Sequence, residues 1–309
     1  MSHTVVKVGI AANPNSEKSL QIVCDLIAWL DNRSIEYRID SSIIEKMPKA
    51  SCNLSWVINR QDIAIHCDPI VVLGGDGTLL SVCRHAFSHA PVVIGVNVGR
   101  LGFLAEVDIK QMYDVLSDAL SGLLSTSLRR LLEVKIFRSG ELFAVYHAVN
   151  DAVITKDALA RIFELEISMD DKLATIIRGD GLIIATSVGS TAYSLAAGGA
   201  IVHPALEAVL ITPICPHPLS VRPLVMPGEF HVSARICRPD DRNKNSVLLT
   251  IDGQEGTHLQ HKDVVVATLS SRAVRLAQSP SLNYFEILTS KLRWGEQVNQ
   301  GIHRTCGSE

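Results

Sequence analysis

Apolar residues in the first third of the chain alternate between short continuous runs and helical spacing. The run from Val5 to Ala11 predicts a buried strand. The segment that follows predicts a helix whose apolar face carries Leu20, Val23, Cys24, Ile27 and Leu30. Three more strands are predicted at Ile35–Ile39, Ile70–Leu73 and Val92–Val96, and two more helices at Thr78–Phe87 and Ile109–Leu123. Such alternation is typical of a parallel sheet with helices on its faces.

After about residue 125 the pattern changes to short strands separated by turn residues. Strands are predicted at Leu131–Phe137, Leu142–Val149, Ile162–Ser168, Leu173–Ile177, Leu182–Ala185, His231–Ile236, Val247–Ile251, Val264–Leu269 and Val274–Ala277. Turns between them include Ser139-Gly140, Asp170-Asp171 and Asp240 to Asn245. A last helix is predicted from Asn283 to Trp294. The fold class is therefore α/β plus β: a Rossmann-like domain (1–125, with 280–309 packing back) and a β-rich, β-sandwich-like domain (126–279).

Composition narrows the class of protein. Of 309 residues, 47% are hydrophobic and 20% are charged, which is ordinary globular composition for about two domains. The net charge of −3, without a basic stripe, argues against a nucleic-acid or anionic-membrane partner. Seven cysteines without a C-x-x-C pair favour a reducing compartment, so we expect a cytoplasmic protein.

One segment has the length of a membrane span but the wrong residues for one. Residues 182–206 contain no Asp, Glu, Lys or Arg. They are nevertheless interrupted by Gly198-Gly199 and His203-Pro204, and a lipid-facing helix does not tolerate loop formers at that density. The segment is predicted to belong to a binding site and not to a membrane.

The sharpest candidate for chemistry is Gly74-Gly75-Asp76-Gly77-Thr78, which follows an apolar strand and opens a helix. Glycines at such a corner bring backbone N–H groups close to a ligand, and the start of a helix favours anions. The segment is neither a Walker A loop nor the G-x-G-x-x-G fingerprint. A carboxylate beside phosphates is repelled unless a cation or a transferable proton intervenes. Asp76 therefore points to Mg²⁺, to a base, or to both, whereas the alternative is a tight turn with a solvated acid.

Further clusters add polar groups to this picture. They are Asn97 to Leu104 with Phe103, the Asn150-Asp151 pair, the glycine- and hydroxyl-rich segment from Gly179 to Pro204, and Asp252-Gly253-Gln254. An amide next to a carboxylate can hold a ribose, although the same pair is common in turns. Neither a G-x-S-x-G elbow nor a zinc spacing is present, so a hydrolase triad and a zinc site are disfavoured.

In this order along the chain, the clusters resemble those of the NAD kinase family. The loop from Gly74 to Thr78 is shared with diacylglycerol and sphingosine kinases and, more distantly, with phosphofructokinases. The remaining clusters narrow the resemblance: Asn97 to Leu104, Asp180-Gly181, Gly189 to Ser194, Pro213 to Ser220, Asp252-Gly253 and Lys291 to Gly295. The resemblance covers about Val71 to Trp294 and implies transfer of a terminal phosphate from ATP, or another donor, to the adenosine-ribose 2′-hydroxyl of NAD.

The resemblance also implies roles for individual residues. Asp76 is the implied catalytic acid–base group and an NAD contact, close to Mg²⁺ held mainly through the phosphates. Gly74, Gly75, Gly77 and Thr78 are implied to border the phosphates, with Gly77 also next to NAD. Phe103 is implied along the adenosine, and Asn150 and Asp151 at a ribose. The implied contacts of the nicotinamide half or the adenine are Asp180, Thr191, Ala192 and Tyr193, with Asp252 also near NAD.

The resemblance implies assembly as a homodimer or homotetramer, so a neighbouring subunit can supply some of these residues. One departure stands out: the family commonly has Asn-Glu where this chain has Asn150-Asp151, whose shorter acidic arm reaches less far. We expect the reaction in the cleft between the two domains. The alternatives are a diacylglycerol-type lipid kinase with the same loop, and a non-catalytic NAD or NADPH sensor.

Overall fold

A computed structural model describes residues 7–47, 54–86, 90–156, 163–218, 220–238 and 247–295. The chain divides into two compact units. Unit 1 comprises Met1–Val82, Pro91–Ser127 and Leu276–Glu309, and unit 2 comprises Cys83–Ala90 and Leu128–Arg275. The sequence assigned residues 83–90 to the first domain, whereas the described residues among them, 83–86 and Ala90, belong to unit 2. The reason is that Arg84 contacts Gln254 and that Arg275 donates to the carbonyl oxygen of Ala90 at 2.8 Å.

Unit 1 contains a parallel sheet flanked by helices. Its strands are β1 (Val8–Ala12), β2 (Tyr37–Asp40), β3 (Val57–Ile58), β4 (Ile70–Gly74), β5 (Val92–Asn97) and β6 (Val107–Asp108). They pair in parallel in the order β3-β2-β1-β4-β5-β6. Its helices include α1 (Glu17–Asp31), α2 (Ser41–Ile44), α3 (Arg60–His66), α4 (Asp76–Cys83) and α5 (Met112–Leu120).

The elements of unit 1 follow from local signals in the sequence. Helix α1 is capped by Ser16, whose side chain accepts a hydrogen bond from the N–H of Ser19. The predicted apolar face packs into the core with β1 and β4, and each such aliphatic side chain contributes about 1.5–3 kcal/mol by burial. The predicted helix over Ile109–Leu123 is a 3-10 turn, Ile109–Gln111, followed by α5, and a capping box of Asp108 and Gln111 marks its start.

Unit 2 contains two sheets. The first has the order β14-β13-β12-β9-β16-β17 and the second the order β8-β7-β18-β15-β10-β11. The strands are β7 (Thr126–Arg138), β8 (Glu141–Ala148), β9 (Asp151–Lys156), β10 (Phe163–Met169), β11 (Lys172–Gly179), β12 (Gly181–Thr186), β13 (Ala208–Ile214), β14 (Leu224–Pro227), β15 (Val232–Arg238), β16 (Val247–Ile251), β17 (Glu255–Leu259) and β18 (Val264–Ala277).

The two sheets of unit 2 share one apolar core. It takes residues from both, among them Ile136 of β7, Ile154 of β9, Ile184 of β12 and Val265 of β18. The other face of the first sheet buries Val153, Ile183 and Leu210 with Val202, under the segment that contains α6 (Tyr193–Ala196). The sandwich-like architecture is therefore confirmed. Helix α7 (Tyr284–Leu292) belongs to unit 1 and is capped by Asn283, which forms a capping box with Glu286.

Some predicted elements differ from the structure. Val264–Leu269 and Val274–Ala277 form one continuous strand, β18, and Arg130 donates to the carbonyl oxygens of Leu269 and Ser270 within it. Strands β3, β6, β9, β13, β14 and β17 were not predicted. Val5, Phe87, Ile162 and the turn from Asp240 to Asn245 lie outside the described residues. In the part of the chain that the structure describes, no helix is long and apolar enough to cross a membrane.

Candidate active site

The predicted phosphate loop lies at the carboxyl end of the parallel sheet in unit 1. Gly74 is the last residue of β4, and Asp76 is the first residue of α4. A Cβ on Gly74 would lie 2.6 Å from Oγ1 of Thr78, so the strand can turn directly into the helix only with glycine there. Gly75 and Gly77 are exposed, and open space surrounds the position of a Cβ on Gly75. The backbone at this helix start is therefore accessible to an anion.

The carboxylate of Asp76 is held by the loop that follows β5. Its Oδ2 accepts a hydrogen bond from the N–H of Phe103 at 2.9 Å, and its Oδ1 accepts from Leu104 and Ala105 at 3.0 Å each. A carboxylate offers about four lone-pair sites. Three are therefore occupied, and one acceptor position remains, on Oδ2. These three contacts determine the orientation of the half-buried carboxylate.

Gly102 is a part of this site that was not singled out from the sequence. A Cβ on Gly102 would overlap Oδ1 of Asp76, so any larger residue must displace the carboxylate. The signal was the second glycine of the stretch from Asn97 to Leu104, immediately before Phe103.

Phe103 connects the phosphate loop to the last helix of unit 1. Its backbone N–H binds Asp76, and its half-buried ring lies 5.9 Å, centroid to Nζ, from Lys291 in the last turn of α7. That distance is within the range of a cation–π contact. Contact between the Phe103 ring and an adenosine remains a prediction.

In unit 2, Asp252 organises the Asn150-Asp151 pair. Asp252 lies in the turn between β16 and β17 with a φ of 50°, and its side chain is buried. Its carboxylate accepts from the backbone N–H groups of Val149 (3.0 Å), Asn150 (2.8 Å) and Asp151 (3.1 Å). Asp252 was predicted to contact NAD, and in the structure it holds the backbone of the two residues predicted to bind the ribose.

The Asn150-Asp151 pair lies in an electrostatically unusual environment. Asp151 is 4% exposed, and burial together with the negative charge of Asp252 raises the pKa of Asp151 to about 7. Burial also raises the pKa of Asp252, while its three backbone hydrogen bonds and the charge of Arg84 oppose that rise. Two buried carboxylates therefore lie close together, with one nearby cation.

The last residue of β12 and the segment after it pack directly against Asn150 and its neighbour Val149. The N–H of Thr186 donates to the Asn150 carbonyl oxygen at 2.8 Å, and the Thr186 hydroxyl donates to the Val149 carbonyl oxygen at 2.6 Å. A Cβ on Gly189 would overlap the Asn150 carbonyl oxygen, so this approach requires glycine. Predicted contact residues follow within four positions: Thr191 and Ala192, both half-buried, and Tyr193, 48% exposed.

Asp180 is not brought to the Asn150-Asp151 pair within one chain. In the ladder between β9 and β12, Gly181 pairs with Thr155, whereas Ala185 pairs with Asp151. Four residues of strand separate these two positions, or about 13 Å. The Asp180 carboxylate instead forms an ion pair with Lys156, Oδ1 to Nζ, at 3.3 Å.

Comparison with known proteins decides the family. The model of the ATP-NAD kinase N-terminal domain matches residues 8–123, and that of the ATP-NAD kinase C-terminal domain matches residues 149–279. The chain belongs to the NAD kinase family. It is 39% identical over 291 residues to the NAD kinase of Citrifermentans bemidjiense, covering 94% of this chain and 99% of that one. It is 40% identical over 289 residues to the NAD kinase of Solibacter usitatus, covering 94% and 98%.

Solved structures share the fold of this kinase. The yeast NADH kinase complexed with NADH superimposes with a TM-score of 0.82 at 25% identity, over all of this chain and 91% of the other. The NAD kinase of Archaeoglobus fulgidus in complex with ATP gives a TM-score of 0.69 at 21% identity, over 93% and 99%. The fold class and the NAD kinase family predicted from the sequence are confirmed, and the lipid-kinase and sensor alternatives are set aside.

Proposed function

We propose that the chain transfers the terminal phosphate of ATP to the 2′-hydroxyl of the adenosine ribose of NAD, giving NADP and ADP. The observation that supports this most directly is the carboxylate of Asp76, oriented by three N–H groups with one acceptor position left on Oδ2. A carboxylate at a phosphate loop hinders binding of a polyphosphate. A carboxylate at this position is useful when it removes the proton of the attacking hydroxyl group during phosphate transfer.

In the proposed step, the 2′-hydroxyl donates a hydrogen bond to the open position on Oδ2 of Asp76. The 2′-oxygen attacks the terminal phosphorus while the bond from phosphorus to the β–γ bridging oxygen breaks. The hydroxyl proton passes to Asp76, and the electron pair of the broken bond leaves with ADP. Gly74, Gly75, Gly77 and Thr78 would line the phosphates at the start of α4.

Binding of NAD would use Asn150 and Asp151. The Asp151 carboxylate would accept from ribose hydroxyls, and the Asn150 amide can both donate and accept. Among the described residues, Asn150 forms hydrogen bonds through its backbone N–H and carbonyl groups. Its side-chain amide is therefore available to a ligand. We place Phe103 along the adenosine.

A divalent cation, Mg²⁺, is the proposed cofactor. Among the described residues, no three Asp, Glu, His or Cys side chains are arranged to hold a metal ion. The one open acceptor position of Asp76 is taken by the 2′-hydroxyl in the proposed step, so Mg²⁺ would be held mainly through phosphate oxygens, which are the hard ligands that it prefers. Mg²⁺ would neutralise charge on the transferring phosphate.

We further propose a homodimer or homotetramer in the cytoplasm. Asp180 follows β11, an edge strand that exposes Leu173 and Ile176, and the edge strand β14 exposes Leu224 and Val225. Pairing of copies through these edges would cover apolar surface and carry Asp180 toward a ligand on the neighbouring chain. Free cysteines, including buried Cys67 and Cys83, support a reducing compartment.

The test is an assay for the product. The protein is incubated with Mg²⁺, ATP and NAD, and NADP is measured with a dehydrogenase that accepts only NADP. NAD that lacks the 2′-hydroxyl should bind without yielding a phosphorylated product, and a parallel reaction receives diacylglycerol. Absence of NADP, phosphorylation of the 2′-deoxy compound, or a diacylglycerol product would each contradict the proposal.

A further inference from the structure

Arg84 is a buried cation that has no assigned role in the reaction. It directly follows α4 in the chain and is 6% exposed. A buried guanidinium is stable only when carboxylates or other acceptors surround it. Its neighbours therefore indicate what it does.

The partners of Arg84 lie in the turn between β16 and β17. Nη2 donates to the side-chain oxygen of Gln254, and Nη1 lies 3.1 Å from Oε1 of Glu255. The charge of Arg84 also acts on Asp252, where it favours the ionised carboxylate. One arginine therefore contacts or influences three of the four residues from Asp252 to Glu255.

The turn positions the backbone of the Asn150-Asp151 pair, because Asp252 accepts hydrogen bonds from the N–H groups of Val149, Asn150 and Asp151. A protonated carboxyl group accepts less well than a carboxylate, so this hold is strongest when Asp252 is ionised. Burial of Asp252 works against its ionisation, and the charge of Arg84 opposes that effect.

We propose that Arg84 is a positioning residue for NAD, which acts by fixing and neutralising the turn from Asp252 to Glu255 and thereby the Asn150-Asp151 pair. The proposal rests on the proposed function, in which that pair binds a ribose. Arg84 itself does not touch the substrate. Its loss should therefore weaken NAD binding far more than it slows phosphate transfer.

The chain offers a matched control in Arg138. Nη2 of Arg138 lies 2.8 Å from Oδ2 of Asp263, whose side chain is 1% exposed, so this pair also joins an arginine to a buried carboxylate. Asp263 follows β17, at the far end of the same hairpin from Asp252, since Val247 pairs with Leu259 and Ile251 with Glu255. The Arg138→Met substitution should reduce stability without changing NAD binding.

The experiment compares wild type, Arg84→Met, Arg84→Lys and Arg138→Met in the full chain. We measure the KM values for NAD and ATP, kcat, the Kd for NAD by calorimetry, and the melting temperature. Arg84→Met should raise the KM and Kd for NAD at least about tenfold, the effect of losing charged hydrogen bonds, with kcat within about threefold of wild type. Arg84→Lys should recover part of the affinity, and Arg138→Met should leave the KM for NAD unchanged.

Unchanged NAD affinity in folded Arg84→Met, or an equal loss in Arg138→Met, overturns the proposal. If Arg84→Met does not fold, Gln254→Leu decides, because it removes an acceptor of Arg84 at an exposed position. A KM for NAD equal to that of wild type in Gln254→Leu then contradicts the role. Wild-type NADP formation tests the proposed function separately, and the calorimetric Kd tests Arg84 whether or not NADP forms.

Discussion

Asp151 and Asp252 hold each other through reciprocal hydrogen bonds. The Asp151 N–H donates to Oδ1 of Asp252 at 3.1 Å, and the Asp252 N–H donates to the carbonyl oxygen of Asp151 at 2.9 Å. Both side chains are buried, so the contact brings two carboxylates together away from water. Their ionisation is therefore coupled to the geometry of the predicted ribose site.

Binding of NAD should tighten as pH rises through 7. The pKa of Asp151 is raised to about 7, and the ionised carboxylate, with both oxygens unprotonated, is the form that accepts strongly from two ribose hydroxyls. Roughly a tenth of Asp151 is then ionised at pH 6, which makes the Kd about tenfold larger there than at pH 8. Calorimetry with NAD alone avoids the titration of ATP. The Asp151→Asn variant should bind NAD weakly at both pH values. A wild-type Kd for NAD that does not change with pH rules out the proposed role of the Asp151 carboxylate.

The same carboxyl group should make stability depend on pH. The unfolded Asp151 has an ordinary pKa, so the folded chain holds the extra proton between about pH 4 and pH 7. Its contribution to the free energy of unfolding is therefore lost as pH rises through that window and is constant above it. Urea unfolding at pH 5 and pH 8 measures the difference. Asp151→Asn should show a smaller decrease than wild type, and an equal decrease contradicts the assignment.

Asn150→Ala should raise the KM for NAD with little change in folding. The substitution removes the side chain but leaves the backbone hydrogen bonds to Asp252 and from Thr186. Loss of ribose hydrogen bonds costs about 1.5–3 kcal/mol, or roughly 10- to 150-fold in affinity. Steady-state kinetics and thermal melting measure the two effects. A KM for NAD equal to that of wild type removes Asn150 from the site.

Asp76→Asn should lower kcat by about 10²–10⁴ with a smaller effect on KM, because the base acts during transfer. The amide oxygen of asparagine can still accept the N–H groups of Leu104 and Ala105, but the amide nitrogen cannot accept that of Phe103, so stability should also fall by about 1–3 kcal/mol. Measuring kcat together with thermal melting by circular dichroism distinguishes the loss of the catalytic base from the loss of stability. A folded variant that keeps more than about a tenth of wild-type kcat is too active for base catalysis by Asp76.

Gly102→Ala should displace the Asp76 carboxylate without removing it. The added methyl group overlaps Oδ1 of Asp76, and a misplacement of about 1 Å can reduce the rate by about 10²-fold. The control is Gly99→Ala in the same loop, where a Cβ meets open space. We expect kcat to fall in Gly102→Ala only, and equal kcat values in the two variants would show that the orientation of Asp76 does not matter.

Phosphate transfer should stop in excess chelator and return when Mg²⁺ is added. No group of three candidate metal ligands exists among the described residues, so the ion should arrive with the triphosphate. NADP formation is followed with chelator alone and then with Mg²⁺ above the chelator concentration. Full turnover in chelator contradicts a need for a divalent cation.

Local sequence patterns identified most of unit 1 and the general character of unit 2. The apolar runs at β1, β4 and β5 are buried at almost every position, and the apolar face of a helix repeats every three to four residues. Both patterns can therefore be recognised in the sequence alone. The loop from Gly74 to Thr78 was recognisable because glycine is required by local backbone geometry. Strand β9 was missed because Asn150 and Asp151 resemble a turn, although the strand begins at Asp151.

The partners of the site residues could not be read from those patterns. Asp76 binds N–H groups 27 to 29 residues away, and Asp252 binds N–H groups 101 to 103 residues away. Asp180 and Asp151 lie at opposite ends of one ladder because the register pairs Gly181 with Thr155. Residue types and spacing are local properties, whereas which loops meet and in which register depends on the packing of whole sheets. The sequence therefore indicated the chemistry of this kinase, and the tertiary structure decided which groups orient it.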